Sequence, residues 1–139
     1  MGTIDAADAE SRRMGRKHVF VVNGEPDFLH VMRDLLQGER YNVTTTNFVP
    51  QTFDQIAALR PDLLIVDLAV GDRAGWELLE RLQAEALTRG VPVVVTSTER
   101  RLLERAEADG WRYGGQRFVV KPMDLDVVLR AIEDLIGPA

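Results

Sequence analysis

Four short apolar runs in this chain each end in a polar residue, and no other feature limits the fold as much. They cover 18–22, 62–66, 91–95 and 117–120, and they end on Asn23, Asp67, the pair Thr96 and Ser97, and Lys121. Read as parallel strands, they bring their carboxyl ends to one edge of a sheet, where open α/β folds gather their ligands. That edge then carries a carboxylate, a hydroxyl pair and an ammonium. The first run ends in Asn23-Gly24, with no acid before Glu25.

Between the runs lie segments of helical period. From Pro26 to Gly38 the apolar positions Phe28, Leu29, Val31, Met32, Leu35 and Leu36 recur at core spacing. Residues 41–46 are rich in β-branched side chains and read as a second, half-exposed edge strand. Pro50 opens a helix that Pro61 ends. Another is expected over 75–89, with Trp76, Leu78, Leu79, Leu82 and Leu87 on its buried side. A charged helix follows over 99–109, then a loop containing Gly110, Gly114 and Gly115. Asp124 caps the last helix, which carries Leu125, Val128, Leu129, Ile132 and Leu135 toward the core and stops at Gly137-Pro138. Strand and helix thus alternate five times, which predicts a parallel sheet with helices on both faces and right-handed crossovers. Residues 1–17 lack a sustained apolar period and read as a flexible tail, leaving 18–139 as one domain.

Bulk properties narrow the function. The chain of 139 residues contains no cysteine, which excludes disulfides and thiolate metal sites. No apolar stretch approaches the ~20 residues that span a bilayer, and the N-terminus lacks a secretory h-region, so a cytoplasmic location is expected. A net charge of −5 argues against nucleic-acid binding, which requires a basic stripe. Lys17 and Lys121 are the only lysines among 17 basic residues. His18 and His30 fall in the first strand and first helix, away from the Asp67 edge. No glycine-rich phosphate loop and no G-x-S-x-G elbow is present, which argues against a nucleotide-binding or small hydrolase α/β domain.

Four segments in order, Val21-Val22-Asn23-Gly24-Glu25-Pro26, Asp67-Leu68 with Gly75 eight residues on, Val95-Thr96-Ser97 and Val120-Lys121-Pro122, carry a family resemblance. Over residues 17–137 it resembles the receiver domain of bacterial two-component response regulators. The resemblance implies a flavodoxin-like (βα)5 doubly wound fold with strand order 2-1-3-4-5. It also implies that Asp67 accepts a phosphoryl group from a histidine kinase or phosphotransfer protein. Lys121 would pair with Asp67 and then with the phosphoryl oxygens, and the bond from Lys121 to Pro122 would be cis. Thr96 would hydrogen-bond a phosphoryl oxygen, and Phe118 would turn inward with it as a switch. Beyond self-phosphorylation at Asp67 from a small donor, no enzymatic activity is implied.

The chain departs from that pattern where the family holds Mg²⁺. The two acids expected after the first strand are Asn23 and Gly24. The remaining candidates are Asp67, the Ala69 backbone carbonyl, the weak amide oxygen of Asn23, and Glu25, read first as a charge at a helix N-terminus. At ~1.4 kcal/mol per tenfold, two lost ligands predict Mg²⁺ binding weaker by roughly two orders of magnitude or more. Proline, frequent in the family four residues after the phosphoacceptor, is Gly71 here. The stretch 111–116 is longer than is usual, with aromatics that either cover the core or meet a partner. The chain stops after the fifth helix, so output is expected through a surface of the fourth helix, fifth strand and last helix. Arg101, Leu102, Arg105, Arg117, Arg130 and Glu133 would furnish that surface for a downstream protein or a homodimer, unless it is simply solvated. Two functions follow: a phosphoacceptor receiver with a weakened metal site, or a phosphorylation-independent pseudo-receiver acting as an interaction module.

Overall fold

β-Branched apolar runs alternate with amphipathic segments, and the two kinds of element can bury their faces only against each other. The computed structural model describes residues 15–122 and 124–139. Within them the order is β1 (His18–Val22), α1 (Pro26–Gly38), β2 (Asn42–Thr46), α2 (Thr52–Leu59), β3 (Leu63–Asp67) and α3 (Ala74–Ala84), followed by β4 (Val93–Ser97), α4 (Arg100–Ala108), α5 (Gly110–Tyr113), β5 (Arg117–Val120) and α6 (Leu125–Ile136). The strands form one sheet in the order β2-β1-β3-β4-β5, every pair parallel. This is the expected doubly wound, flavodoxin-like arrangement.

Each face of the sheet has its own core. Phe20, Val22, Leu64, Val66 and Val95 meet Ile56, Leu79, Leu103 and Ala106 on one side. Val19, Val21, Leu63, Ile65 and Val94 meet Met32 and Leu36 of α1 and Val128 and Ile132 of α6 on the other. All five residues of β1, β3 and β4 are buried, as strands covered on both faces should be.

Several boundaries move for local reasons. The helix expected over 75–89 ends at Ala84. There the Thr88 hydroxyl donates to the Leu82 carbonyl at 2.7 Å, and the Arg89 guanidinium donates to the carbonyls of Gln83 and Ala84. These side chains satisfy the acceptors that a helix end leaves open, and Leu87, placed on the buried side from its spacing, is 71% exposed. α2 begins at Thr52 rather than Pro50, because the Thr52 hydroxyl accepts from Val49 N–H and closes a turn ahead of the helix. The fourth strand begins at Val93 rather than at residue 91, since Pro92 has no N–H for the ladder. Asp67, Thr96 and Ser97 stand inside their strands. The expected loop after α4 contains the short helix α5, which packs its Tyr113 edge-on to Trp76 at 4.8 Å between ring centroids. Leu125, at core spacing, is at the surface.

Residues 1–14 of the expected tail lie outside the described residues. Lys17, assigned to that tail, grips the end of α6 instead: its ammonium donates to the carbonyls of Ile136 and Pro138. Beside it the Tyr41 hydroxyl donates to the Gly137 carbonyl at 2.9 Å. Burial, and then the charges of Glu133 and Glu39, push the Tyr41 phenol above its ordinary value of 10.0. A pKa raised on folding stabilises the native state fully below the unfolded value and loses that contribution as pH rises through the folded one. Tyr41→Phe should therefore cost about 1 kcal/mol in urea denaturation at neutral pH. The same substitution should flatten the loss of stability above pH ~10.

Candidate functional site

Side chains alternate across a strand, so the core assignments decide which face each strand-end residue takes. Val19 and Val21, Leu63 and Ile65, Val94, and Val119 all belong to the core under α1 and α6. Continuing the alternation puts Asn23, Asp67, Thr96 and Lys121 on that same face, at the carboxyl edge. The register agrees: Val22 is level with Val66, and Asp67 with Thr96. Four residues spread over 99 positions of chain are thus gathered by parity, strand order and register together.

The contacts are close. Thr96 Oγ1 donates to Asp67 Oδ1 at 2.8 Å, and Lys121 Nζ stands 2.9 Å from the same oxygen. Both carry charge or face it out of water, since Asp67 is 7% exposed and Lys121 8%. The Thr96 hydrogen bond to a carboxylate is of the stronger, charge-assisted kind, and Lys121 meets the same oxygen as an ion pair. Both contacts fall on Oδ1, and among the described residues nothing bonds Oδ2. The ammonium also lies 4.1 Å from the centroid of the Phe28 ring and 3.7 Å from Glu25 Oε1. The sequence reading missed Phe28. Its place on the inner stripe of α1, one turn before Met32, is the signal that could have found it, but the stripe reads as core until Lys121 is seen to arrive there. The Lys121–Pro122 peptide is cis, as expected.

Backbone bonds hold the edge in place. Leu68 N–H donates to Thr96 O, and Lys121 N–H to Ser97 O, each at 2.8 Å. The Ser97 hydroxyl donates to Leu68 O at 2.6 Å. Helix α3 crosses directly over the end of β3: a Cβ at Gly75 would lie 2.3 Å from the Asp67 carbonyl oxygen. Gly71 adopts φ +75°, which proline cannot reach, so the family's frequent proline could not take this position with the same backbone.

The oxygen donors for a cation are few. Asn23 is buried, and its Oδ1 accepts the Glu25 N–H at 2.9 Å. Gly24 contributes no side chain. The Ala69 carbonyl accepts from Asp72 N–H at 3.3 Å. Glu25 is exposed, at the N-cap of α1, with no capping bond from its side chain. Among the described residues, no three His, Cys, Asp or Glu side chains come together as a metal cluster.

Phe118 lies on the opposite face. It packs with the core that contains Val95 and lines a groove of ≈310 Å³ with Arg100, Leu103 and Arg117. Of the surface candidates, Arg117 pairs with Asp134 at 3.5 Å and Arg105 lies 5.3 Å from the Trp76 ring. Arg101, Arg130 and Glu133 are exposed, and Leu102 is half-buried. In the longer stretch before β5 the aromatics divide: Tyr113 is core and Trp111 is 78% exposed.

Residues 19–133 match the family model described as the response regulator receiver domain. The chain is 26% identical to the probable transcriptional regulatory protein TcrX of Mycobacterium tuberculosis over 85% of its own length, and spans 49% of that relative. In fold it is similar to the chemotaxis protein CheY4 of Vibrio cholerae, with TM-score 0.76, 18% identity, and coverage of 86% of this chain and 98% of that one. It is similar also to the receiver domain of the Pseudomonas aeruginosa sensor histidine kinase PA1611, a structure with a magnesium ion coordinated in its active-site cleft. That likeness has TM-score 0.72 and 19% identity, and covers 88% of this chain and 98% of that one.

Gly75→Ala must push either α3 or the Asp67 carbonyl aside. The expected cost is about 1–3 kcal/mol, as for other overpacked sites. Thermal or urea unfolding measures it, and unchanged stability would show that the helix yields freely.

Proposed function

The chain belongs to the response regulator receiver family, and on that premise we propose that Asp67 is its phosphoacceptor and that its Mg²⁺ site is weak. Receiver domains are signalling modules that work with histidine kinases or phosphotransfer proteins and with downstream effectors. The observation that carries the reading is the asymmetric Asp67 carboxylate: Oδ1 is taken by Thr96 and Lys121, while Oδ2 is left for phosphorus. As nucleophile, Oδ2 attacks the phosphorus of a phosphohistidine. The Oδ2–P bond forms as the P–N bond breaks, and the imidazole leaves with the electron pair. Lys121, relieved of part of its pairing, follows the negative charge onto the phosphoryl oxygens, and the Thr96 hydroxyl turns from Oδ1 to one of them. Phe118 then closes toward the space behind Thr96 by burial alone, since phenylalanine has no hydroxyl to anchor it.

Mg²⁺ in receiver sites neutralises charge on the transferring group. Here the donor set does not fit it. One carboxylate is already paired with an ammonium, the Asn23 oxygen is engaged in a turn, and Glu25 faces solvent. Mg²⁺ demands oxygen ligands in near-octahedral array and is usually held by one or two carboxylates. A domain over 18–139, a cytoplasmic location, no nucleic-acid partner, and output or dimerisation through the α4–β5–α6 face belong to the same reading. Among the described residues no helix is long and apolar enough to cross a membrane. The loss of both β1 acids also favours the second reading, a pseudo-receiver that binds partners without phosphorylation.

Intact mass after incubation with acetyl phosphate separates the two. A gain of one phosphoryl group that Asp67→Ala abolishes supports the phosphoacceptor; no gain at any Mg²⁺ concentration supports the pseudo-receiver. In a Mg²⁺ titration followed by tryptophan fluorescence or NMR, saturation is expected only above the millimolar range, and sub-millimolar saturation would overturn the weak site.

A further inference from the structure

We propose that Asn23 binds the phosphoryl group through its side-chain amide and, together with Lys121 and Thr96, lets Asp67 accept that group without a divalent cation. The inference rests on the reading of Asp67 as phosphoacceptor. Three observations carry it.

The first is the orientation of the amide. Glu25 N–H can donate only to the Asn23 oxygen, and it does so at 2.9 Å. An N–H cannot accept, so the turn assigns the other branch of the side chain as the NH₂ group. The second is that this Nδ2 is shut away from solvent and has no hydrogen-bond partner among the described residues, on a side chain only 1% exposed. Buried donors are rarely left unpaired in folded proteins, and those that are call for an explanation. An oxygen brought in by a substrate would satisfy this donor. The third is position. Asn23 follows Val22, which is level with Val66, so Asn23 stands beside Asp67 on the shared face.

The chemistry of the missing ligand follows from its neighbours. An amide NH₂, an ammonium and a hydroxyl are all donors; the last two contact one nucleophilic carboxylate, and the first shares its face of the sheet edge. Such a set suits a group that carries several anionic oxygens around an electrophilic centre. It repels a cation, toward which Nδ2 would turn its hydrogens. Charge balance points the same way: two carboxylates and a divalent cation sum to zero, so a site lacking all three presents an arriving phosphoryl group with the same net charge. With acetyl phosphate as donor, the Oδ2–P bond forms as the P–O bond to the acetyl group breaks. Acetate leaves with the electron pair, and no further reactant is needed.

Asn23→Asp keeps the oxygen that accepts from Glu25 N–H but exchanges the NH₂ donor for a second, charged oxygen. It is therefore read beside Asn23→Ser, whose hydroxyl can still accept from Glu25 N–H and which removes the donor without adding charge; both should lose the rate measured in EDTA. The wild-type chain is incubated with acetyl phosphate in EDTA and, separately, in excess Mg²⁺, and the phosphorylated fraction is followed by intact mass with Asp67→Ala as control. The wild type should be modified in EDTA at a rate that Mg²⁺ changes by less than about threefold. Asn23→Asp should lose roughly tenfold or more of the EDTA rate, as for a hydrogen bond to a charged group, and should recover with Mg²⁺. Wild-type modification that requires Mg²⁺ overturns this inference while leaving Asp67 as phosphoacceptor. An unchanged EDTA rate in either variant does the same. No modification under either condition overturns both readings. Should Asn23→Asp fail to fold, the side-chain NH₂ resonances of Asn23 in the wild type serve instead: they should shift on phosphorylation in EDTA, and resonances that stay fixed overturn the inference.

Discussion

A strand buried on both faces can carry chemistry only at its ends, and β3 is such a strand. Leu63, Leu64, Ile65 and Val66 are each 0–1% exposed, and they divide alternately between the two cores. That alternation fixes the face on which Asp67 emerges. Parallel pairing with β1 and β4 then fixes what stands beside it. A one-residue slip of any strand would send its terminal side chain to the opposite face, and the same slip would expose its apolar set. The site and the core are therefore specified by one constraint.

Around that edge the electrostatics are tightly coupled. A carboxylate and an ammonium removed from water are costly unless they pair, and removing one partner strands the other. Asp67 and Lys121 answer each other at 2.9 Å, Thr96 adds a hydroxyl, and the Phe28 ring covers the ammonium from the helix side. The arrangement puts positive charge on one carboxylate oxygen and leaves the other without a partner among the described residues. A site built this way is electrically near balance before anything binds. This is the physical basis for reading its missing acids as a change in how charge is neutralised, rather than only as a loss.

Much of the architecture was legible because it depends on local periodicity. Runs of β-branched residues marked the strands, and Pro26, Asp124 and Gly137 marked helix ends that the structure keeps. What failed was decided by side chains acting across a turn. Leu87 sits at helical spacing, yet Thr88 and Arg89 take the carbonyls of α3 one turn earlier and unwind the segment. Lys17 sits in a polar stretch, yet it is held by the far end of the chain. Trp111 and Tyr113 are two residues apart in the same segment, and only the position of α5 against α3 makes one surface and the other core.

The sequence by itself determined the five strands, the polar residue that closes four of them, and the absence of acids at positions 23 and 24, because these depend on composition and on the period of two. It also carried the family, since four short segments in order suffice. Only the tertiary structure decided that Asn23, Asp67, Thr96 and Lys121 share one face, that Phe28 meets the ammonium, and that the Asn23 amide turns its oxygen to α1 and leaves its nitrogen without a hydrogen-bond partner among the described residues. Those facts depend on strand order, register and helix placement. They arise when separated segments are buried together, and no local pattern encodes the distance between them.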